Sequence, residues 1–272
     1  MIDRVTEVPG ASRGPVGPFR PGAFTPDPRR PSGLQMVRAA SSLELKMLVR
    51  NGEQLLLALI IPLAVLIGLT TTTVVELAAP RIDTVTPGVL ALAIMSTAFT
   101  AQAITTAFDR RYGVLKRLAA AGMGRPLLIA GKCGGALVVI VCQWVILGTV
   151  ALIMGWAPHG DPAWLVLLVL LGAAAFIGLA LLLGGTLRAE AVLAFANLLW
   201  FAMVLVGGVI VPLTTAPQWL RTVGELTPAG ALSTALRTVL QTGQAPGAAS
   251  LAVLVGWVVV GWAGTVRWFR WQ

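Results

Sequence analysis

Residues 163–183 read AWLVLLVLLGAAAFIGLALLL, an uninterrupted apolar run without a charged side chain. About 20 such residues in a helix cross the hydrocarbon core of a bilayer. The composition of the 272-residue chain agrees, because 57% of its residues are hydrophobic and only 11% are charged. A soluble domain has far more charge and less apolar content. The sequence therefore predicts an integral membrane protein.

Six apolar runs of roughly bilayer length follow one another along the chain. The predicted fold is therefore all-α, with six transmembrane helices, and the even number of spans places both termini on one side of the membrane. The runs lie near residues 55–75, 88–108, 127–156, 163–183, 191–213 and 249–266.

The Lys and Arg residues, which give a net charge of +9, are unevenly distributed between the loops. With the N-terminus in the cytoplasm, seventeen of the 20 fall on the cytoplasmic side, and only Arg81, Arg221 and Arg237 fall on the other side. Cytoplasmic loops carry such an excess, so both termini are predicted to be cytoplasmic. The cations flank apolar runs instead of forming a soluble basic face with interleaved aromatics, so we expect no nucleic-acid partner.

Two segments precede the first span. Residues 1–33 are rich in Pro, Gly and Arg and lack an apolar run of signal-peptide length, which predicts a disordered cytoplasmic tail. In residues 35–50, apolar side chains such as Ala40 and Leu43 recur at helical spacing. This pattern favours a helix lying in the inner membrane interface, with a plain helical extension of the first span as the alternative. The transmembrane domain then comprises residues 34–272.

The chain lacks the residue patterns of a catalytic, metal or nucleotide site. Its one histidine, His159, has a single carboxylate nearby, Asp161, which is too little for a metal site or a Ser/His/Asp arrangement. The stretch 124–132 resembles a phosphate-binding loop only superficially, because six residues separate its glycines and Cys133 follows its lysine. If ATP drives this protein, another polypeptide must bind the ATP.

The most strongly basic loop lies between the second and third apolar runs. It reads RYGVLKRL at residues 111–118 and, after a short turn, RPLLIAGK at residues 125–132. This pattern resembles the cytoplasmic loop of type-2 ABC transporter permeases. Residues 217–221, PQWLR, and 226–237, LTPAGALSTALR, are similar to the family's extracellular segment between spans five and six. In the family that segment dips back into the outer leaflet, which implies short re-entrant helices over residues 214–243.

The resemblance implies the permease subunit of an ATP-driven ABC exporter, which moves a lipophilic drug, lipid or glycolipid out across the cytoplasmic membrane. Two copies of a separate ATPase subunit would bind ATP and Mg, so this chain would hold no cofactor and no catalytic residue. A second permease, identical or related, and membrane lipid would be the other partners. The loop RRYGVLKRL, residues 110–118, is similar to that of daunorubicin-type exporters, which implies a role in antibiotic resistance. The high Ala, Gly, Val and Arg content suggests the inner membrane of a bacterium.

The coupling loop that the resemblance implies spans residues 109–126, and with the helix at 35–50 it would form the surface that meets the ATPase. Cations suit such a surface, because they can pair with acidic groups of a soluble partner or with anionic lipid headgroups. Taken alone, they can also serve only to orient the protein in the membrane. The residues expected at this surface are Leu43, Lys46, Arg50, Arg110, Arg111, Tyr112, Gly113, Lys116, Arg117 and Arg125.

Polar side chains in the second and fifth runs are candidates for a substrate path. Polar groups in hydrocarbon favour a cavity or a partner helix, so interhelical hydrogen bonding is the alternative. The candidates are Thr97, Thr100, Gln102, Asn197, Trp200 and Phe201. For the whole chain, a non-transporting membrane scaffold or assembly subunit is the second hypothesis. A secondary transporter is the third, because no carboxylate clearly lies at mid-membrane.

Overall fold

The computed structural model describes four stretches of the chain: residues 32–50, 52–73, 75–120 and 122–270. All but the last two positions of the predicted tail therefore lie outside the described residues. The chain divides into two units, residues 1–32 and 33–272, and every described helix belongs to the second. The side chains of Glu44, residues 47–58 and Thr215 also lie outside the described part.

Helices make up most of the described chain, in which eleven α-helices and no β-strand are found. The α-helices are α1 (Gly33–Arg50), α2 (Gly52–Thr71), α3 (Arg81–Met95), α4 (Gln102–Arg111), α5 (Val114–Ala120), α6 (Arg125–Ile153), α7 (Pro162–Thr186), α8 (Ala189–Val206), α9 (Gln218–Leu226), α10 (Pro228–Thr242) and α11 (Ala248–Trp268). A π-helical segment, Ser96–Ala101, joins α3 to α4 without a break.

Five helical stretches are long and apolar enough to cross a bilayer. They are Arg81–Arg111, which combines α3, the π-helical segment and α4, together with α6, α7, α8 and α11. The described apolar part of α2, Leu59–Thr71, is shorter. Each of the six predicted spans thus contains an apolar helix, and the prediction of an all-α integral membrane fold is confirmed.

Two span boundaries differ from the prediction by about seven residues, and the others by four or fewer. The second span begins at Arg81 instead of near residue 88, because the guanidinium of Arg81 folds back onto the preceding chain. There Nε and Nη2 donate to the carbonyl oxygen of Leu69 at 3.1 and 3.0 Å, so a residue expected in a loop starts the helix. The fifth span ends at Val206 instead of near residue 213, because the chain turns at Gly208, which has a φ of +59°.

The helix Arg81–Arg111 forms the centre of the bundle. In its most apolar stretch of 18 residues, 78% of the residues are buried. In the corresponding stretches of α8 and α11, only 22% are buried. α11 packs closely on α7, because Gly261 lies against the backbone of Gly178, where an added Cβ would come within 2.9 Å of its carbonyl carbon. Thr265 Oγ1 also donates to the carbonyl oxygen of Gly178 at 3.0 Å.

Hydrogen bonds near the helix ends show which segments lie together at each end of the bundle. At one end, the guanidinium of Arg110 donates to the carbonyl oxygens of Gly185 and Leu187, and the backbone nitrogen of Arg270 donates to Gly185 at 3.0 Å. We call this the basic end, and it also contains α5 and the start of α6. At the opposite end, Gln241 Nε2 donates to the carbonyl oxygen of Asp83 at 2.9 Å. Among the described residues, the basic loop, the turn before α8 and the segment after α11 therefore lie together.

The segment implied to be re-entrant folds as α9 and α10 at the opposite end. Thr227 caps α10, because its Oγ1 accepts a hydrogen bond from Gly230 N at 3.0 Å. Apolar side chains of α10, among them Leu232 and Leu236, are fully buried in the bundle. Arg237, expected in a loop, is also buried and donates to the carbonyl oxygens of the turn after α8.

Candidate coupling site and polar span

The basic loop between the second and third spans is largely helical. α4 ends at Arg111, and Gly113, with a φ of +70°, allows the chain to reverse into α5. A second glycine of positive φ, Gly122, follows α5, and Pro126 lies in the first turn of α6, where a proline is well tolerated. The loop is therefore a helix–turn–helix connection, which is stiffer than an extended loop.

The apolar face of α5 borders a pocket that α1 and α6 also line. Leu115 is buried, and with Leu118 it lines a small apolar pocket together with Leu43 of α1 and Leu128 of α6. The sequence predicts that the helix at 35–50 and the basic loop form the surface that meets the ATPase, which stays a prediction. In the structure, Leu43 and α5 line one pocket.

α1 lies unusually close to α6. A Cβ added to Gly131 would be 2.5 Å from the Cβ of Ala40, and one added to Gly134 would be 2.3 Å from Ser41 Oγ. Such small residues let two helix backbones approach closely. α1 and the first turns of α6 therefore form one packed unit at the basic end, and α5 borders it across the shared pocket.

A buried ion pair anchors this unit to the central helix. Lys132 Nζ lies 2.7 Å from Asp109 Oδ2, and the two side chains are only 7% and 17% exposed. The pair joins the end of α4 directly to α6, on either side of the segment that contains α5. In the sequence these residues are ordinary loop charges 23 positions apart, and nothing in the local pattern indicates that they pair.

The cations predicted at the coupling surface have different environments. Arg111 forms an ion pair with Glu190 at the start of α8, and its guanidinium carbon lies 5.8 Å from the ring centroid of Tyr112. Arg117 Nη2 donates to the carbonyl oxygen of Tyr112 at 3.0 Å. Lys116 is exposed. The guanidinium of Arg110, by contrast, is directed into the protein, where it ties α4 to the turn between α7 and α8.

The remaining residues predicted at the coupling surface are mostly exposed. Lys46 and Arg125 are exposed, Tyr112 is 61% exposed, and Gly113 is half-buried. The side chain of Arg50 lies outside the described part of the chain.

The six candidates for a substrate path differ in environment, and two of them, Thr100 and Trp200, are half-buried. Thr97 and Gln102 are buried in the bundle, whereas Asn197 and Phe201 are exposed on α8. Asn197 Nδ2 donates within its own helix, to the carbonyl oxygen of Leu193 at 2.8 Å. The structure therefore does not bring Asn197 to the polar side chains of the second span.

Two hydrogen bonds connect that polar span to its neighbours. Thr97 Oγ1 donates to Gln143 Oε1 of α6 at 2.8 Å, and Trp200 Nε1 of α8 donates to Ser96 Oγ at 3.0 Å. Gln143 is a member of this polar set that sequence reasoning missed, because a single glutamine inside an apolar run gives no signal about its partner.

Other buried polar atoms of the same span find no partner among the described residues. Both amide atoms of Gln102 and the hydroxyl oxygens of Thr100 and Thr106 make no hydrogen bond there. In the described part of the chain, no group of three or more His, Cys, Asp or Glu is placed to hold a metal ion. The span thus carries unpaired neutral donors and acceptors close to a π-helical segment.

An all-helical bundle with five apolar helices of spanning length defines a multi-pass membrane protein. The family model for the ABC-2 type transporter matches residues 35–240, most of the chain, and the chain belongs to this family. It is therefore the membrane subunit of an ABC transporter, a permease component, and membership implies an ABC ATPase as partner. No curated protein matches this chain.

Proposed function

We propose that this chain is the permease subunit of an ABC exporter, which moves a lipophilic substrate outward when a separate ATPase hydrolyses ATP. The observation that supports this function best is the packed unit of α1 and the start of α6, which α5 borders and which the Asp109–Lys132 pair joins to the central helix. A force on α5 therefore acts on a stiff connection between two spans.

The central helix offers a route for that force across the bundle. It runs from Arg111 beside α5 to Arg81 at the opposite end, where Gln241 of α10 donates to the backbone of Asp83. ATP-driven closure of the ATPase against α5 would shift this helix relative to α6 and α10. The substrate path would then lie along its polar face, with Thr97, Thr100 and Gln102, and continue past Trp200 to Phe201 and Asn197 on α8.

The assembly we propose contains two ATPases, each with ATP and Mg, and two permeases. The largely uncovered faces of α8 and α11 leave room for lipid and for a second permease. Residues 35–50 would lie in the inner interface, residues 109–126 would couple to the ATPase, and residues 214–243 would re-enter the outer leaflet. The similarity of residues 110–118 to daunorubicin-type exporters supports a drug substrate and antibiotic resistance in a bacterial inner membrane.

Copurification in mild detergent tests this proposal. We expect an ATPase at near-equal stoichiometry and ATP turnover in the eluate. The double variant Lys116→Glu, Arg117→Glu should lose the ATPase or uncouple hydrolysis from transport, because both side chains are exposed on α5. Arg267→Glu is the matched control, since Arg267 is an exposed cation outside this segment.

Two results would contradict the exporter. One is a permease that brings no ATPase, even after crosslinking in membranes, which would favour a scaffold or a secondary transporter. The other is unchanged coupled transport in the double variant, which would remove α5 from the docking surface.

A further inference from the structure

A basic groove lies beside the coupling site, between the turn that joins α4 to α5 and the turn that joins α7 to α8. It has a volume of about 480 Å³, within the range of small-ligand sites. Four cations and a single carboxylate line it: Arg110, Arg111, Lys116, Arg188 and Glu190. The sequence separates Arg188 from the other three cations by more than a whole span, and the fold brings them together.

Contacts within the protein leave most of this positive charge uncompensated. The one carboxylate, Glu190, is paired with Arg111. Arg110 donates to two backbone carbonyl oxygens, whose dipoles do not cancel a full charge. Lys116 and Arg188 are both exposed, and in the part of the chain that the structure describes neither side chain makes a hydrogen bond or an ion pair. The groove therefore presents an excess of positive charge to an anionic group.

The surroundings of the groove indicate which kind of anion fits. Ala189, the first residue of α8, lines the groove, and Leu193 lies one helical turn further along the same face. Leu193 is 45% exposed and Phe201, two turns beyond, is 59% exposed. Exposed apolar side chains of α8 thus begin one helical turn from the cationic groove. An acidic protein would complement only the positive charge of the groove. An amphipathic anion would complement both the groove and the exposed apolar side chains of α8.

We propose that this groove binds the phosphate group of an anionic phospholipid, with an acyl chain lying along the exposed face of α8. Lys and Arg side chains form strong charge-assisted hydrogen bonds with phosphate oxygens, and basic pockets between membrane helices hold anionic headgroups. The lipid would bridge Lys116 on α5 and Arg188 at the turn before α8. It would thereby hold α5 against the turn between α7 and α8, independently of any ATPase.

Lipid retention by the full-length permease, purified without an ATPase, tests this site. The protein is exchanged into mixed micelles with equal amounts of dioleoylphosphatidylglycerol and dioleoylphosphatidylcholine, and bound lipid is counted by native mass spectrometry. We expect selective retention of phosphatidylglycerol. In the double variant Lys116→Gln, Arg188→Gln its affinity should fall about 25-fold, since each cation near an anionic headgroup contributes about fivefold.

Arg267→Gln is the matched control, because Arg267 is an exposed cation at the basic end that does not line the groove. It should retain phosphatidylglycerol like the unaltered chain, and equal losses in the control and the double variant would overturn the proposal. A third arm adds millimolar inorganic phosphate, which should not displace the lipid. Displacement would mean that the groove takes free phosphate.

Two further outcomes would also overturn the lipid site. One is equal retention of the two phospholipids. The other is a double variant that keeps phosphatidylglycerol but no longer copurifies with an ATPase, which would make the groove a protein-docking surface. Because lipid binding is measured on the permease alone, its failure leaves the proposed export function untouched, and failure of ATPase copurification leaves the lipid site untouched.

Discussion

Polar side chains inside the central helix are the residues whose burial most needs an explanation. Thr97 is satisfied by Gln143, whereas the amide of Gln102, which is fully buried, has no partner among the described residues. A buried polar group without a hydrogen bond costs about 1–3 kcal/mol. Gln102 directly follows a π-helical segment, a feature often found at functional sites. An unpaired amide at this place fits a residue that finds its partner in another state of the transport cycle or in the substrate.

Leucine substitutions at two glutamines distinguish this role from simple packing. Gln102→Leu should stabilise the described conformation by about 1 kcal/mol or more, because it removes an unpaired amide at nearly constant volume. It should also reduce transport. Gln143→Leu is the control and should lower stability, because it leaves the Thr97 hydroxyl without an acceptor. Thermal unfolding in detergent and transport in vesicles measure the two effects. A Gln102→Leu protein as unstable as Gln143→Leu would show that the amide is paired in the native protein.

At the scale of helices, the close contact between α1 and α6 determines whether α5 can transmit force. α1 forms one wall of the pocket in which Leu115 of α5 packs, and Gly131 allows α1 to approach α6. The Asp109–Lys132 pair adds a second constraint. Removing one partner of a buried ion pair typically costs about 3–5 kcal/mol, because the other charge is left buried and unpaired. Apolar contact and ion pair together make the connection between α4 and α6 stiff.

Alanine at Gly131 should separate α1 from α6, because the new Cβ would lie 2.5 Å from the Cβ of Ala40. We expect ATPase docking to weaken and transport to fall, while the spans stay inserted. Gly148→Ala is the matched control in the same helix, since a Cβ there meets nothing within 4 Å. ATPase copurification and transport are measured for both variants. Equal behaviour of the two proteins would show that the position of α1 does not govern coupling.

The sequence predicts helices well and their contacts poorly, and the reason is physical. An apolar run of bilayer length dictates a span whatever its neighbours are, so each predicted run contains a helix. The contacts of charged side chains depend instead on how distant helices pack. Examples are the hydrogen bond from Arg110 to the carbonyl oxygen of Gly185 and the ion pair between Asp109 and Lys132. The hydrophobic periodicity of a single segment gives no information about these contacts. The two mispredicted boundaries likewise follow from a tertiary contact of Arg81 and a turn at Gly208.

For the molecule as a whole, the two ends of the bundle differ sharply in charge. The basic end contains the segment 109–132, Arg188, Arg267 and Arg270. Arg221 lies near the opposite end, where it forms an ion pair with Glu225. Positive charge is retained on the cytoplasmic side of membrane proteins. The basic end should therefore face the cytoplasm, where ATP and the ATPase are found, and α9 and α10 should face outward.

Cysteine labelling tests this orientation. After Cys133 and Cys142 are replaced with Ala, a single cysteine is introduced by His159→Cys at the opposite end or by Arg267→Cys at the basic end, since both positions are exposed. A membrane-impermeant maleimide should label the first variant in intact cells and the second only after permeabilisation. The cysteine-free chain controls for background. The reverse pattern would place α5 outside the cell, where no ATPase could drive it, and so would contradict both the orientation and the export mechanism.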